Sequence, residues 1–441
     1  MVSTNYLIIG NSAAGINAAE NIRKIDKKGK ITILTHEKYA NYSKPLITYY
    51  LAGKLGLDRI NFKDKDFYKS NNISLVLGSR AEWIDFKNNV VETTGEDYRY
   101  KKLLIATGGQ PALPGINIED ENGNTAPLTS KALQSISGIF TLTTLEDALK
   151  LKKYIEDNDI KNASILGGGL IGLKAAEAFL ELGLDINIIE LSDRILAATF
   201  DREASAMLES EISDKGSSIY TNNTIRKIEI GNGRVKRIIL RNGKKIDCSL
   251  LVIAVGVSPN LSFFDNSLID IERGIRVNDR LQTNIENVYA AGDVIESRDI
   301  LLNSHRTIAI WPLAVSQGSI AGMNLAGANS KYAGSFFMNS VEILKLPSIS
   351  MGLTNVEDNG GIEVLKEYRP DDNYYRKIVI RDKKVVGAIL IGGIERAGIY
   401  SGLIKNKIDI SKEKDLIARE DFGLIQLPSG YKKHLVVGEG I

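Results

Sequence analysis

Two glycine-rich turns carry most of the chemistry legible in this chain of 441 residues. The clearer one reads Gly167-Gly168-Gly169-Leu170-Ile171-Gly172, between the apolar run 164–166 and a helical stretch. Gly167 permits a tight turn, Gly169 clears room for a pyrophosphate, and Gly172 lets helix and strand pack closely. The helix that opens at Leu170 and Ile171 points its positive end at the same place, so the turn predicts a bound dinucleotide. Glu190 ends the next apolar run. A carboxylate there accepts hydrogen bonds from a ribose 2′-hydroxyl and repels a 2′-phosphate, which favours NADH over NADPH. Arg194 works against that preference.

The first turn departs from the ideal. It reads Gly10-Asn11-Ser12-Ala13-Ala14-Gly15, with Ser12 in place of the middle glycine and Glu37 as the acid after the next strand. Gly10, Ser12, Ala14 and Gly15 are its candidate pyrophosphate positions, and Glu37 its candidate ribose ligand. His36, next to Glu37, is expected to be solvated. The chain is therefore expected to hold two dinucleotides. Its one cysteine, Cys248, sits in Ile246-Asp247-Cys248-Ser249-Leu250-Leu251, and is expected to be a packed small hydrophobe.

Around each turn the hydrophobic pattern predicts a strand, a helix and a strand: residues 6–9, 13–25 and 31–34, then 164–166, 170–182 and 186–189. The duplication points to two doubly wound α/β domains. Between them, residues 111–138 are polar and are expected to form a linker with an exposed loop over 119–124. Farther on, 340–344, 376–381 and 385–391 are expected to be strands, with Lys383 and Lys384 at a hairpin turn, in a third, smaller α+β domain. Hydrophobic residues make up 43% and charged residues 25%, with a net charge of +2 spread along the chain. That balance gives no electrostatic footprint for nucleic acid or an anionic membrane, and favours a small or neutral partner. No leader sequence or bilayer-spanning run is recognisable, and a single cysteine suits a reducing compartment, so a cytoplasmic location is expected.

Further segments carry a resemblance. They are residues 102–109, ending Ile105-Ala106-Thr107-Gly108-Gly109; Val255-Gly256-Val257-Ser258-Pro259-Asn260; residues 283–293, ending Ala290-Ala291-Gly292-Asp293; and Trp311-Pro312-Leu313-Ala314-Val315-Ser316-Gln317-Gly318. Together with the two turns they resemble the two-dinucleotide-binding flavoproteins of the pyridine nucleotide-disulfide oxidoreductase superfamily. The most similar branch is that of NADH oxidases, ferredoxin and rubredoxin reductases and nitrite reductase flavin subunits. The resemblance implies two Rossmann-like domains, FAD-binding over 1–117 and 263–328 and NADH-binding over 118–262 with its preceding linker. A C-terminal interface domain over 329–441 and a homodimer are also implied. Implied cofactor-binding positions are Lys44, Pro45, Ala81, Ala106, Thr107, Gly108, Gly256, Gly292 and Asp293, the last hydrogen-bonded to the ribitol.

The segment 42–53 resembles the helix beside the isoalloxazine, where disulfide reductases carry a redox cysteine, and this chain has none. Chemistry through a disulfide, a coenzyme A mixed disulfide or a sulfenate is thereby disfavoured. Relatives often place a lysine near flavin N5, paired with a glutamate from the NADH motif; the matching positions are Thr48 and Lys174. Lys174 is then expected to supply positive charge to the reduced flavin, and Trp311 to cover it. The resemblance implies electron transfer from NADH through FAD to an external acceptor, with a rubredoxin, ferredoxin or iron-sulphur subunit favoured. A peroxide-forming NADH oxidase and a redox-responsive scaffold are the alternatives.

Overall fold

The computed structural model describes residues 1–264, 268–423, 425–428 and 431–432. Residues 265–267 of the expected returning segment and the end of the expected C-terminal domain lie outside the described residues. The chain forms two compact units, one of Met1–Ala112, Thr141–Asp159 and Gly256–Ser335, the other of Leu113–Phe140, Ile160–Val255 and Phe336–Ile441.

In the first unit the β-branched run Val2–Ile9 lies between Ile31–Leu34 and Tyr98–Ile105, parallel to both. Ile73–Val76 extends the sheet on one side, and Val90–Thr93 and Ala81–Asp85 complete the other side as antiparallel strands. Val288–Ala290, much later in the chain, pairs parallel with Tyr98–Ile105. A parallel strand buried on both faces reads as a continuous apolar run, and Leu7, Ile8, Leu103, Leu104 and Ile105 are fully buried. The helix Ala13–Ile25 follows the first strand, and the helix Trp311–Leu325 packs against it. Their approach is backbone on backbone: a Cβ at Gly318 would overlap the Ala14 carbonyl, and one at Gly322 the Ala18 carbonyl. The helix Leu145–Asp157, opened by a Thr144–Asp147 capping box, packs on the short helix Ile47–Leu51.

The second unit holds a sheet in the order Ile139–Thr141, Leu251–Ile253, Asn162–Leu166, Asp185–Ile189 and Ser218–Tyr220. Its Leu251–Ile253, Asn162–Leu166, Asp185–Ile189 and Ser218–Tyr220 strands run parallel. The helix Leu170–Glu181 packs on Asn162–Leu166 and Asp185–Ile189. A second sheet corrects the expected linker. Asn117–Glu119 and Thr125–Pro127 form a hairpin whose first strand runs parallel to Ile225–Gly231, and Ser130–Ser135 is helical. The strand Thr125–Pro127 is exposed, and so is the turn between the hairpin strands, 120–124. There the Asp120 carboxylate accepts from the Asn122 and Asn124 backbone and from Asn124 Nδ2.

The third sheet, in the order Met338–Ile343, Leu346–Gly352, Lys384–Ile391, Tyr374–Arg381 and Ile362–Arg369, is antiparallel throughout. Its hairpin turns at Asp382 and Lys383, both in the left-handed region, and Lys384 already pairs with Arg381. A buried ionic contact binds this sheet to the start of the helix Arg202–Ser213. Asp201, which caps the helix Arg202–Ser213, accepts from Tyr375 Oη at 2.6 Å and pairs with Lys377 Nζ at 3.0 Å. No helix among the described residues is long and apolar enough to cross a membrane.

The Gly318 contact gives a direct test. Gly318→Ala should destabilise the protein by about 1–3 kcal/mol, since the added methyl has only the Ala14 carbonyl to displace. Urea unfolding of the variant and the natural chain measures the difference.

Candidate functional site

Each glycine turn is built by the strand that precedes it. Gly10 has φ +118° and Gly167 has φ +112°, and a Cβ on either would overlap the carbonyl of Ala106 or of Ala254 on the neighbouring strand. Gly15 and Gly172 face the carbonyls of Gly10 and Gly167 just as closely. The helices therefore begin hard against their strands. Their N-caps, Ser12 and Gly169, make no side-chain capping bond, and a Cβ at Gly169 would meet nothing within 4 Å. Both turns thus leave first-turn NH groups without a side-chain cap, and the second leaves open space as well, as a pyrophosphate requires.

In the second unit Glu190 is fixed by its own turn. One carboxylate oxygen accepts from the Gly168 NH at 2.6 Å and the other from the Ser192 NH at 2.7 Å. Each oxygen keeps acceptor capacity for a ribose hydroxyl. Leu170 and Ile171 open the helix, as expected, and are half-buried. Lys174 stands one turn on, paired with Glu177 and donating to the Glu342 carbonyl at 3.2 Å. Thr48 belongs to the first unit and Lys174 to the second.

In the first unit Glu37 accepts from the Tyr42 hydroxyl at 2.5 Å, and that hydroxyl accepts in turn from the Leu145 NH at 3.2 Å. Burial, and then the Glu37 charge, push the Tyr42 hydroxyl far above its ordinary range, so it stays protonated and donating. Sequence reasoning missed this partner, which is buried and polar at the start of the 42–53 segment. His36 is exposed. Lys44 is half-buried, Pro45 exposed and Thr48 buried, all on or beside the short helical stretch Lys44–Leu46 and Ile47–Leu51. Ala81 opens its strand, half-buried.

The strand end at Ala106-Thr107-Gly108 is tied to the returning chain. Thr107 Oγ1 donates to the Asn260 carbonyl at 3.2 Å, the Asn260 NH to the Gly108 carbonyl at 3.0 Å, and the Ala112 NH to the Gly256 carbonyl at 3.0 Å. The Gly292 NH donates at 2.9 Å to Gln317 Oε1, and the buried Gln317 amide donates to Tyr332 Oη at 3.2 Å. Gln317 thus locks the turn before Asp293 onto the helix that Trp311 opens. Its place in the 311–318 motif was the only sequence signal for it. Trp311 itself packs edge-on against Phe62, with ring centroids 5.3 Å apart.

Among the polar groups in this unit without protein hydrogen-bond partners, two lie at the expected cofactor motifs. Asn11 Nδ2, in the first turn, is buried with no acceptor among the described residues. Asp293 has no hydrogen-bond donor among them. Burial raises its pKa, and the Lys44 charge opposes the rise. A carboxylate next to a glycine turn, half-buried and without protein donors, fits the hydroxyls of a ribitol chain.

The family profile described as "Pyridine nucleotide-disulphide oxidoreductase" matches residues 4–318. The profile described as "Rubredoxin NAD+ reductase C-terminal domain" matches residues 338–408. The chain is 31% identical over 411 residues to the NADH-dependent phenylglyoxylate dehydrogenase subunit epsilon of Aromatoleum evansii, covering 92% of this chain and 93% of that one. It is 29% identical over 422 residues to the NADH-rubredoxin oxidoreductase of Clostridium acetobutylicum, covering 96% and 98%. Among solved structures, a NAD-dependent persulfide reductase from A. fulgidus matches with a TM-score of 0.82 at 25% identity, over 93% of this chain and 79% of that one.

Asp293 yields a pH-dependent prediction. Its raised pKa makes ionisation cost stability in the flavin-free protein. That cost is absent below the ordinary carboxylate range, grows as the pH rises through it, and is complete above the raised value. Flavin-free Asp293→Asn should therefore unfold at a higher temperature than the natural protein at about pH 7, with the gap closing towards about pH 4. The same variant should bind FAD more weakly. Thermal unfolding across that range, with and without FAD, checks both.

Proposed function

The chain belongs to the pyridine nucleotide-disulphide oxidoreductase family and is an NADH-dependent oxidoreductase that uses FAD, and we propose that it hands its electrons to an iron-sulphur protein. A rubredoxin, a ferredoxin or an iron-sulphur subunit is the favoured class of acceptor. The observation that carries this reading is the state of the only thiol. Cys248 is buried, its sulfur donates to the Leu250 carbonyl at 3.1 Å, and burial pushes its pKa up to about 11. Thiol redox chemistry needs an accessible thiolate, so no side chain here relays electrons through a disulfide. FAD, when bound, would supply the hydride-accepting and electron-transferring chemistry that the side chains lack.

The protein's own part is binding and orientation. Gly10, Ser12, Ala14 and Gly15 would hold one pyrophosphate and Glu37 its ribose, with Asp293 on the ribitol. Lys44, Pro45, Ala81, Ala106, Thr107, Gly108, Gly256 and Gly292 would line the flavin site, and Trp311 and Thr48 would stand at its ring. Gly167, Gly169, Leu170, Ile171 and Gly172 would hold NADH, with Glu190 on its ribose. We assign FAD binding to 1–117 and 263–328, NADH binding to 118–262, and the interface of a homodimer, working in the cytoplasm, to 329–441. Two relatives support the acceptor: one carries rubredoxin in its name, and the other is named as a subunit of an NADH-dependent dehydrogenase.

Two experiments test the reading. The NADH-reduced protein should be reoxidised by rubredoxin or ferredoxin faster than by air, and Cys248→Ala should leave that rate unchanged. Reoxidation by dioxygen alone, with stoichiometric peroxide, would make the protein an oxidase instead. We assign Lys174 the positive charge that favours reduced flavin, so Lys174→Met should lower the flavin potential and slow reduction by NADH. If neither changed, its contacts with Glu177 and Glu342 would be its whole role.

A further inference from the structure

The turn that follows Glu190 contains a cation of the kind that would recognise NADPH. A 2′-phosphate is bound by an arginine or lysine close to the end of the second strand of the dinucleotide fold, and a guanidinium suits it through paired, charge-assisted hydrogen bonds. Arg194 occupies that stretch of sequence. Its side chain, however, is held by protein through all three guanidinium nitrogens. Nη1 bonds to Asp193 Oδ1 at 2.7 Å, Nε donates to the Phe200 carbonyl at 3.3 Å, and Nη2 donates to Asn355 Oδ1 at 3.0 Å and to the Ala197 carbonyl at 3.4 Å.

One of these four bonds comes from the segment after a C-terminal strand. Asn355 follows the strand Leu346–Gly352, and its Nδ2 donates to the Ala197 carbonyl at 2.7 Å. Beside it the buried Thr354 donates to the Thr199 carbonyl at 2.9 Å, and its own carbonyl accepts from Lys377 Nζ at 2.9 Å. Lys377 and Tyr375 both hold Asp201, at the far end of the same turn. The other oxygen of Asp193 pairs with Arg202. The turn from Glu190 to Asp201 is thus fastened from outside, with its arginine turned to its own carboxylate.

We propose that Asp193 and Asn355 form a clamp that withholds Arg194 from the bound nucleotide, and that this clamp excludes NADPH. The inference rests on the assignment of the Glu190 turn to NADH. It makes the C-terminal sheet a determinant of nucleotide choice as well as the proposed dimer interface. Glu190 repels the 2′-phosphate, and the clamp removes the cation that would offset that repulsion.

Nucleotide dissociation constants, read from NADH and NADPH fluorescence on the FAD-loaded protein, test the clamp apart from any electron transfer. Asp193→Ala should shift the NADPH/NADH affinity ratio about tenfold towards NADPH, the size of one charge-assisted hydrogen bond. Asn355→Ala should shift it less, in the same direction. The double variant Asp193→Ala/Arg194→Ala should return the ratio to that of the natural protein. Arg194→Ala alone should leave the ratio where it was, because a withheld side chain has nothing to lose.

An unmoved ratio in Asp193→Ala with NADH binding intact would overturn the clamp. So would an equal shift in the double variant, which would trace the effect to lost negative charge. A fall in NADPH affinity in Arg194→Ala would overturn it too, by showing that the arginine already reaches the nucleotide. Failure of the natural protein to bind NADH would instead remove the assignment on which the clamp rests.

Discussion

In the two dinucleotide turns a carbonyl oxygen stands where the side chain of each of four glycines would otherwise begin. Ala106 blocks Gly10, Gly10 blocks Gly15, Ala254 blocks Gly167 and Gly167 blocks Gly172. That crowding brings each helix N-terminus onto the end of its strand, which is what places first-turn NH groups where a pyrophosphate can reach them. The same device recurs where Gly318 and Gly322 let the later helix lie on Ala14 and Ala18. Without it the returning chain could not set Gly292 and Asp293 beside the first turn. The binding geometry of this protein is therefore written in backbone contacts that admit no Cβ, and side chains refine it.

The refinements are chiefly electrostatic. Glu190 and Glu37 are carboxylates held by neighbouring donors, Asp293 is one without a donor among the described residues, and Tyr42 and Gln317 are buried polar groups that orient the glycine turns and acids next to them. A buried polar group without a partner costs free energy, so Asp293 and the Asn11 amide represent stability given up in the flavin-free protein. A ligand rich in hydroxyls and phosphate oxygens recovers it. The absence of an accessible thiol puts the electron-transfer chemistry on the cofactor, and leaves the protein to choose which nucleotide enters and which acceptor leaves with the electrons.

The βαβ units were legible because their periodicity is strong. The helix Ala13–Ile25 and the strand Ile31–Leu34 lie where the apolar pattern put them, and the second unit differs by a residue or two at its ends. The hairpin Asn117–Glu119 with Thr125–Pro127 was not legible. Its strands are three residues each, too short to show an alternation, and the first pairs with Ile225–Gly231, far along the chain. Leu346–Gly352 is broken by Pro347, and Ile362–Arg369 carries Glu363, Lys366 and Glu367 on a half-exposed edge strand, so neither showed a clean alternation. Arg194 was visible as a charge near the ribose, but its sequestration depends on Asn355, a contact that no local pattern encodes.

The most direct measurement is anaerobic stopped-flow mixing of the FAD-loaded protein with NADH, followed at the flavin absorption band. Bleaching within about a second, as ordinary turnover numbers require, is the result this account predicts. A protein that holds FAD and binds NADH yet leaves the flavin oxidised would contradict it, and would make the two dinucleotide sites parts of a redox-responsive scaffold.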